Sequence, residues 1–305
     1  MITMSRAMRH HPVAVESRII RALLLALGVL LLGGCSLLRL TYSQLPTIAY
    51  WTIDGYVDFT SAQSERVRAQ LAEWLRWNRT TQLPDYAALL QRGRVEVLAD
   101  TTPARVCAWV DEGQLRLQTA FEQALPDIAE LALSLSPAQL EHMRKHMDKG
   151  NAELREEFVE RSPQRRRKDA VERAVERAEV LYGRLDDAQR EAIARDLAGS
   201  PFDPERWLAE RERRQRDTLQ TLRRLQAERA GAEQTQAALR ALFERSLASS
   251  DDAYRAYERR LRRYGCEFAA RLHNGTTAAQ RQAAAATIAG WEADLRVLAA
   301  EPVAR

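Results

Sequence analysis

Two histidines, His142 and His146, have the spacing in this chain that comes closest to a metal site. They are four residues apart and would share one face of a helix, as zinc ligands can. Met143 occupies the position where a zinc protease of this pattern carries glutamate, and Arg144 and Lys145 would repel a cation. We therefore expect packed or solvent-exposed histidines without a metal, and a metal site at this pair is the alternative.

The remaining side chains give no pattern of a catalytic site. The sequence contains no glycine-rich phosphate loop, no GxSxG motif and no cysteine–histidine cluster, and His273 has no serine nearby. Many carboxylates stand four residues from an arginine, as on solvated helix faces. We predict a protein that is not an enzyme and has no cofactor. An enzyme that cleaves cell-wall glycan with two carboxylates is the least favoured alternative.

Arginines concentrate in two charge-rich tracts, at 164–180 and 205–230. Four consecutive basic residues stand near the start of the first tract: Arg165, Arg166, Arg167 and Lys168. They form either an exposed helix face with weak ion pairs or a patch for an anionic partner, because guanidinium groups fit carboxylate and phosphate. Such a partner would be an envelope protein, peptidoglycan or lipopolysaccharide. The whole chain carries a net charge of only +4, so we expect no nucleic acid.

The first 34 residues have the layout of a signal peptide. Four arginines precede an uncharged stretch from Ala22 to Gly34, which as a helix would reach about 20 Å, short of a bilayer core of about 30 Å. The next feature, Leu32-Gly33-Gly34-Cys35, resembles the lipobox of bacterial lipoproteins. That resemblance implies cleavage before Cys35 and acylation of Cys35 with fatty acids such as palmitate, and Ser36 then implies the periplasmic face of the outer membrane. An uncleaved membrane helix is the alternative.

Two cysteines remain after Cys35, namely Cys107 and Cys266. In an oxidising compartment a remaining pair predicts a disulfide. The bond would close a loop of more than half the chain, which by loop entropy would stabilise the fold by about 5 kcal/mol. Two separate buried thiols are the alternative.

Apolar periodicity and proline positions predict an all-α fold, a bundle of about ten to twelve helices without a significant sheet. Seven prolines precede or open apolar-periodic runs, and we expect each to begin a helix. Four of them follow a residue that can cap a helix: Thr102-Pro103, Ser136-Pro137, Ser162-Pro163 and Asp203-Pro204. The other three follow leucine: Pro46, Pro84 and Pro126.

A five-residue pattern recurs four times, as FTSAQ (59–63), LSPAQ (135–139), LDDAQ (185–189) and TTAAQ (276–280). In each copy a Thr, Ser or Asp stands three residues before a glutamine, which predicts a helix N-cap and a capping box. The pattern is also weakly similar to the LTxxQ motif of Spy-type periplasmic chaperones, small helical proteins that hold unfolded clients. That resemblance implies the alternative function, a periplasmic holdase.

The apolar segment after Cys35 runs to Phe59 without a flexible spacer, so the folded body should sit close to the bilayer. This segment is either the first core helix or lies partly in the membrane interface, where Tyr and Trp are favoured. We predict a signal peptide at 1–34, a lipid-anchored short tether at 35–45 and an all-helical periplasmic domain at 46–305. A division of that domain into two sub-bundles near 199–204 is an alternative arrangement.

Three features together resemble a family of uncharacterised bacterial lipoproteins, known only as a domain of unknown function. These are Cys35, the segment from Tyr42 to Phe59, and WLRWNRTTQLPDY at 74–86. The resemblance implies an envelope location and assigns no functional residues. We predict a binding or scaffold protein anchored in the outer membrane through Cys35, with a protein or cell-wall component as its other partner.

Overall fold

The computed structural model describes residues 38–301, and this part of the chain consists of α-helices, two short π-helical segments and turns, without a strand. The first helix, α1, spans 38–57. Ten further helices follow: α2 (Ser61–Trp77), α3 (Leu83–Glu96), α4 (Pro103–Ser134), α5 (Pro137–Arg155), α6 (Pro163–Tyr182), α7 (Asp187–Ala198), α8 (Pro204–Ala227), α9 (Ala232–Leu247), α10 (Asp252–Asn274) and α11 (Ala278–Ala300). The π-helical segments are Asn78–Gln82, between α2 and α3, and Glu156–Glu160, after α5. The predicted all-α fold is confirmed.

The four prolines that follow a capping residue begin helices, as predicted. Each proline is the first residue of α4, α5, α6 or α8. In every case the preceding side chain accepts a hydrogen bond from the backbone N–H three residues ahead. Proline suits this position because its missing N–H would have no partner inside the helix.

Of the three prolines that follow leucine, Pro84 lies in the first turn of a helix, and the prediction is wrong for Pro46 and Pro126. Pro46 lies inside α1, and Pro126 lies inside α4. Pro84 is the second residue of α3, which continues from α2 through the first π-helical segment. A leucine side chain has no oxygen with which to cap a helix. At Pro126 burial offsets the lost backbone hydrogen bond, because Leu125 and Ala129 are each only 1% exposed.

All four copies of the recurring pattern form the predicted capping boxes. Their glutamines also meet in pairs, which the sequence does not indicate. Nε2 of Gln139 donates to Oε1 of Gln63 at 2.6 Å, and Nε2 of Gln189 donates to Oε1 of Gln280 at 2.7 Å.

The two glutamine pairs repeat one arrangement. In both, each side-chain amide also donates to the carbonyl oxygen two residues before the partner's N-cap. The first pair joins the N-terminus of α2 to that of α5, and the second joins α7 to α11. The recurring pattern is therefore explained by hydrogen bonds that hold two pairs of helix N-termini together. Its glutamines do not support the holdase function.

Two clusters of buried apolar side chains form the interior. The first lies between α1, α4, α5, α8 and α9 and includes Leu140 and Leu222. The second lies between α6, α7 and α11 and includes Tyr182 and Ala284. Both clusters contain residues from before and after 199–204, so the chain crosses between them instead of completing one before the other.

A disulfide joins Cys107 of α4 to Cys266 of α10, which is the predicted pair, with 5.5 Å between the Cα atoms. The two cysteines are 159 residues apart in the sequence. An ion pair between Arg262 and Asp111 lies beside the bond and links the same two helices. Long-range packing of α4 on α10 is thereby fixed covalently.

Residues 38–45, the end of the predicted tether, are helical and form the first part of α1. One face of α1 packs against the body, where Tyr50 and Val57 are each 4% exposed. Cys35 and the predicted signal peptide lie outside the described residues. Between residues 38 and 301, no helix has both the length and the apolar character needed to cross a bilayer.

Polar contacts hold the start of α1 against the body. Nε of Arg39 lies 3.1 Å from a carboxylate oxygen of Asp294 on α11. The hydroxyl of Tyr42 donates to Oδ1 of Asn78, in the first π-helical segment, at 3.1 Å. Both partners are buried, so these bonds fix the orientation of α1 relative to the rest of the protein.

Candidate functional site

His142 and His146 lie on α5 and contact the end of α1. Nε2 of His142 is 3.1 Å from the carbonyl oxygen of Gly55, and the ring centroids of His146 and Tyr56 are 4.2 Å apart. In the described part of the chain, no three His, Cys, Asp or Glu side chains are placed to hold a metal ion together. The contacts of the two histidines are those of packing between helices.

His273 of α10 is 6% exposed and forms two hydrogen bonds. Nε2 donates to the carbonyl oxygen of Ala99 at 2.8 Å, because that oxygen can only accept. Nδ1 lies 2.9 Å from the hydroxyl oxygen of Tyr182, which is the second partner of the ring. Burial raises the pKa of Tyr182, which keeps the hydroxyl protonated. This buried pair therefore has its ring nitrogens and hydroxyl bonded within the fold.

The strongest candidate for a binding site is a groove along α6 with a volume of about 480 Å³, which we call the α6 groove. One wall is a face of α6 that carries four arginines: Arg166, Arg167, Arg173 and Arg177. The opposite wall is formed by 197–204, which includes Phe202. Phe158 of the second π-helical segment and Phe268 of α10 complete the lining.

Local sequence explains why α6 presents this face. Ser162 caps the helix by accepting from the backbone N–H of Arg165 at 3.3 Å, and Pro163 follows. Val175, Ala178 and Tyr182 belong to the second core cluster and turn one side of α6 inward. Arg166, Arg173 and Arg177 are separated by steps of seven and four residues and share one face of α6, and Arg167, next to Arg166, lies at the edge of this face.

Two of the four arginines are held by the second π-helical segment. Nη1 of Arg166 donates to the carbonyl oxygens of Phe158 and Val159, at 2.8 and 3.2 Å. Arg173 lies 3.6 Å from a carboxylate oxygen of Glu157, and its guanidinium carbon is 5.3 Å from the ring centroid of Phe158. These contacts fix the shape of the groove.

The other two arginines have no such contacts. Arg167 and Arg177 are exposed, and no described residue forms a hydrogen bond or an ion pair with either side chain. They are ten residues apart, or about 15 Å along the helix. The carboxylate of Asp169, also in the groove, is paired with Arg161 at 2.9 Å. The α6 groove therefore offers two uncompensated positive charges beside three phenylalanine rings, an arrangement suited to an anion with apolar groups.

The predicted basic patch is divided between two faces of α6. Arg166 and Arg167 line the groove, whereas Arg165 and Lys168 do not. Arg173 and Arg177 were not among the predicted residues, although the steps of seven and four from Arg166 are a signal that could have identified them. The phenylalanines come from three separate segments, and no local pattern brings them together.

The second charge-rich tract forms α8, where a buried carboxylate organises the arginines. Glu210 is 5% exposed and accepts from Nε of Arg213 at 2.7 Å and from Nε of Arg214 at 2.8 Å. Arg214 also donates to Glu258 of α10 at 2.6 Å. Burial alone would raise the pKa of Glu210, but the two guanidinium groups and the Ser249 hydroxyl outweigh it and lower the pKa to about 2.

A family model described as a family of unknown function, DUF6279, matches residues 55–255, about two thirds of this chain. No curated protein and no solved structure matches the chain. The predicted resemblance to an uncharacterised family is confirmed. The matched range contains the whole lining of the α6 groove except Phe268.

Proposed function

The chain belongs to DUF6279, a family of unknown function, and we propose that it is a binding protein of the bacterial envelope. In this proposal it is anchored to the outer membrane by lipid at Cys35 and holds an anionic partner in the α6 groove. One observation carries the proposal. Arg167 and Arg177 are exposed along the groove and lack a partner among the described residues.

The physical argument starts from what an anion would gain in the groove. A guanidinium group binds a carboxylate or a phosphate through two parallel N–H bonds, and hydrogen bonds of this charged kind contribute about 1.5–3 kcal/mol each. Arg166 and Arg173 are already committed to the second π-helical segment and are less available. Arg167 and Arg177 are therefore the residues we expect to bind the partner.

The phenylalanine rings restrict the class of partner. Phe202 is 41% exposed, and burying such a ring against apolar groups is favourable by about 25 cal/mol per Å². A small inorganic anion would leave these rings in water. We therefore expect a partner that carries acidic groups next to apolar ones, which describes an acidic protein segment, a peptidoglycan stem peptide and lipopolysaccharide.

Photo-crosslinking in bacterial cells that produce the full chain tests the proposal. A photoreactive amino acid replaces Ala170, which lines the groove between the arginines. The matched control carries it in place of Glu176, an exposed residue of the same helix outside the groove. We expect an adduct at 170 that is absent at 176, and its mass and protease sensitivity separate protein, peptidoglycan and lipopolysaccharide.

Charge reversal then tests whether the arginines are responsible. The double change Arg167→Glu and Arg177→Glu should reduce the adduct at 170 at least about tenfold, which corresponds to the loss of about 1.4 kcal/mol or more. Arg165→Glu reverses an exposed charge on the same helix outside the groove and should leave the adduct unchanged. Equal adduct yields in all three proteins would rule out the α6 groove as the binding site.

A further inference from the structure

The outer face of α1 carries three large apolar side chains that no described residue covers. Leu40 is 59% exposed, Ile48 is 51% exposed and Trp51 is 60% exposed. At about 100° per residue, Trp51 lies about 20° and Ile48 about 80° around the helix from Leu40, so these side chains form a single stripe on one side. Gln44 and Thr47 lie between them on the same side and are also exposed. The stripe thus combines three apolar and two uncharged polar side chains and contains no charged residue.

A cation stands beside this stripe. The guanidinium carbon of Arg68, on α2, is 3.4 Å from the ring centroid of Tyr50 and 5.7 Å from that of Trp51. In the described part of the chain, Arg68 does not pair with a carboxylate. An exposed tryptophan beside a cation that has no carboxylate partner is suited to an interface of anionic lipid head groups.

The predicted lipid anchor indicates that a membrane covers the stripe. The predicted lipid anchor, Cys35, is five residues before Leu40, so the start of α1 cannot be far from the bilayer. Trp51 lies about 16 Å further along the helix than Leu40. If α1 stood upright on the membrane, Trp51 would be out of reach of the lipid. The stripe runs along this whole length, which is the arrangement expected when the helix lies flat.

We propose that α1 lies in the plane of the membrane interface and inserts Leu40, Ile48 and Trp51 between the lipids. The opposite face of α1 is fixed to the helical body through Tyr50 and Val57. This contact therefore sets the orientation of the whole protein on the bilayer. The proposal shares the anchor at Cys35 with the proposed function but does not depend on the α6 groove.

Quenching of tryptophan fluorescence tests this proposal. The full lipidated chain is reconstituted into vesicles of phosphatidylethanolamine and phosphatidylglycerol with brominated acyl chains, which quench only rings in contact with lipid. The chain contains 6 tryptophans, and Trp51 is the one on the stripe. We expect Trp51→Phe to abolish most of the quenching seen in the wild type. The matched control, Trp109→Phe, should retain it, because Trp109 packs against Gly93 and hydrogen-bonds to Glu96.

Two further variants separate the possible failures. Leu40→Ser with Ile48→Ser should at least halve the quenching of Trp51 while the far-ultraviolet circular dichroism stays helical. Arg167→Glu with Arg177→Glu should leave the quenching unchanged, so that failure of the groove is distinguishable from failure of the stripe. Equal quenching in Trp51→Phe and the wild type, or no quenching at all, would overturn the proposal. If the stripe were instead required for a stable dimer in detergent, it would belong to a second copy of the chain.

Discussion

In α8, Arg213 and Arg214 share the buried carboxylate of Glu210, and Arg214 also reaches Glu258 of α10. In α6, Arg167 and Arg177 extend along a groove without a carboxylate partner among the described residues. The two tracts resemble each other in the sequence, since both are polar and rich in arginine. The difference between them is the position of the acidic residues in three dimensions.

This comparison shows that an arginine-rich tract in a sequence does not by itself indicate whether its arginines are structural or available for binding. A buried carboxylate turns the arginines of α8 into part of the interior, where removing one partner leaves an uncompensated charge. The free arginines of α6 contribute little to folding and remain available to a partner. We therefore expect changes in α8 to alter stability and changes in α6 to alter binding.

Loss of the disulfide should have the largest effect on the free energy of unfolding, because both regions pack on α10. Glu258 of α10 binds α8, Phe268 of α10 lines the α6 groove, and Cys266 lies between them. Replacing Cys107 and Cys266 by serine should lower the free energy of unfolding by about 3–5 kcal/mol, as expected for a long closed loop. Urea denaturation with and without reductant measures this. The wild type should respond to reductant and the double variant should not; a wild type that ignores reductant would contradict the prediction.

Glu210→Gln should have the next largest effect. The variant keeps the shape of the side chain but leaves Arg213 and Arg214 without their shared negative charge, which should cost about 2–4 kcal/mol of unfolding free energy. The matched control is Glu212→Gln, on the same helix, whose ion pairs with Arg155 and Arg216 are 3.4 and 3.9 Å long and partly exposed. The control should cost less than about 1 kcal/mol. Equal costs in urea denaturation would remove the distinction between a buried and a surface carboxylate.

Lowering the pH should reproduce part of this loss of stability in the wild type. The pKa of Glu210 is about 2 in the folded protein, below its usual 4.5. Because the pKa is lower in the folded protein, the ionised carboxylate stabilises the fold, and this contribution is complete at a pH above the unfolded pKa. It disappears as the pH falls from about 4.5 to about 2. The stability difference between the wild type and Glu210→Gln should therefore shrink by about 2–3 kcal/mol over that range. A difference that is constant between pH 7 and pH 2.5 would show that Glu210 is not ionised in the way described.

The smallest effect on stability should come from α6. Arg167→Gln and Arg177→Gln should each change the free energy of unfolding by less than about 0.5 kcal/mol, because neither side chain has a partner to lose. Arg214→Gln, in α8, serves as the comparison and should cost more, since it removes bonds to Glu210 and Glu258. Thermal and urea unfolding measure all three. A destabilised Arg167→Gln or Arg177→Gln would indicate that the groove arginines are structural.

Much of the fold could be predicted because helix starts are encoded locally. Each of the four capped prolines and each of the four boxes uses a side chain and a backbone N–H three residues apart. Pro46 and Pro126 were mistaken for helix starts because each opens an apolar-periodic run, and whether a helix continues through proline depends on distant packing. Pro126 is tolerated where Leu125 and Ala129 are buried by other helices.

The candidate site could be predicted only in part. The sequence indicated that Arg166 and Arg167 could bind an anion, and it marked Arg165 and Lys168 with equal weight. The sequence could not distinguish the two residues that line the groove from the two that do not, because the groove exists only where 197–204 and Phe268 approach α6. The apolar stripe of α1 is an intermediate case. Its composition is visible in the sequence, but which side of the helix faces the body depends on contacts with Tyr50 and Val57.

The sequence by itself determined the all-α fold, the capped helix starts and the pair of cysteines available for a disulfide. Each follows from residue types or from hydrogen bonds within a few residues of the chain. Only the tertiary structure decided that the glutamines of the boxes meet in pairs 76 and 91 residues apart, and which arginines find a carboxylate. Those contacts depend on how the helices pack, and a partner supplied by a distant segment leaves no mark in the local sequence.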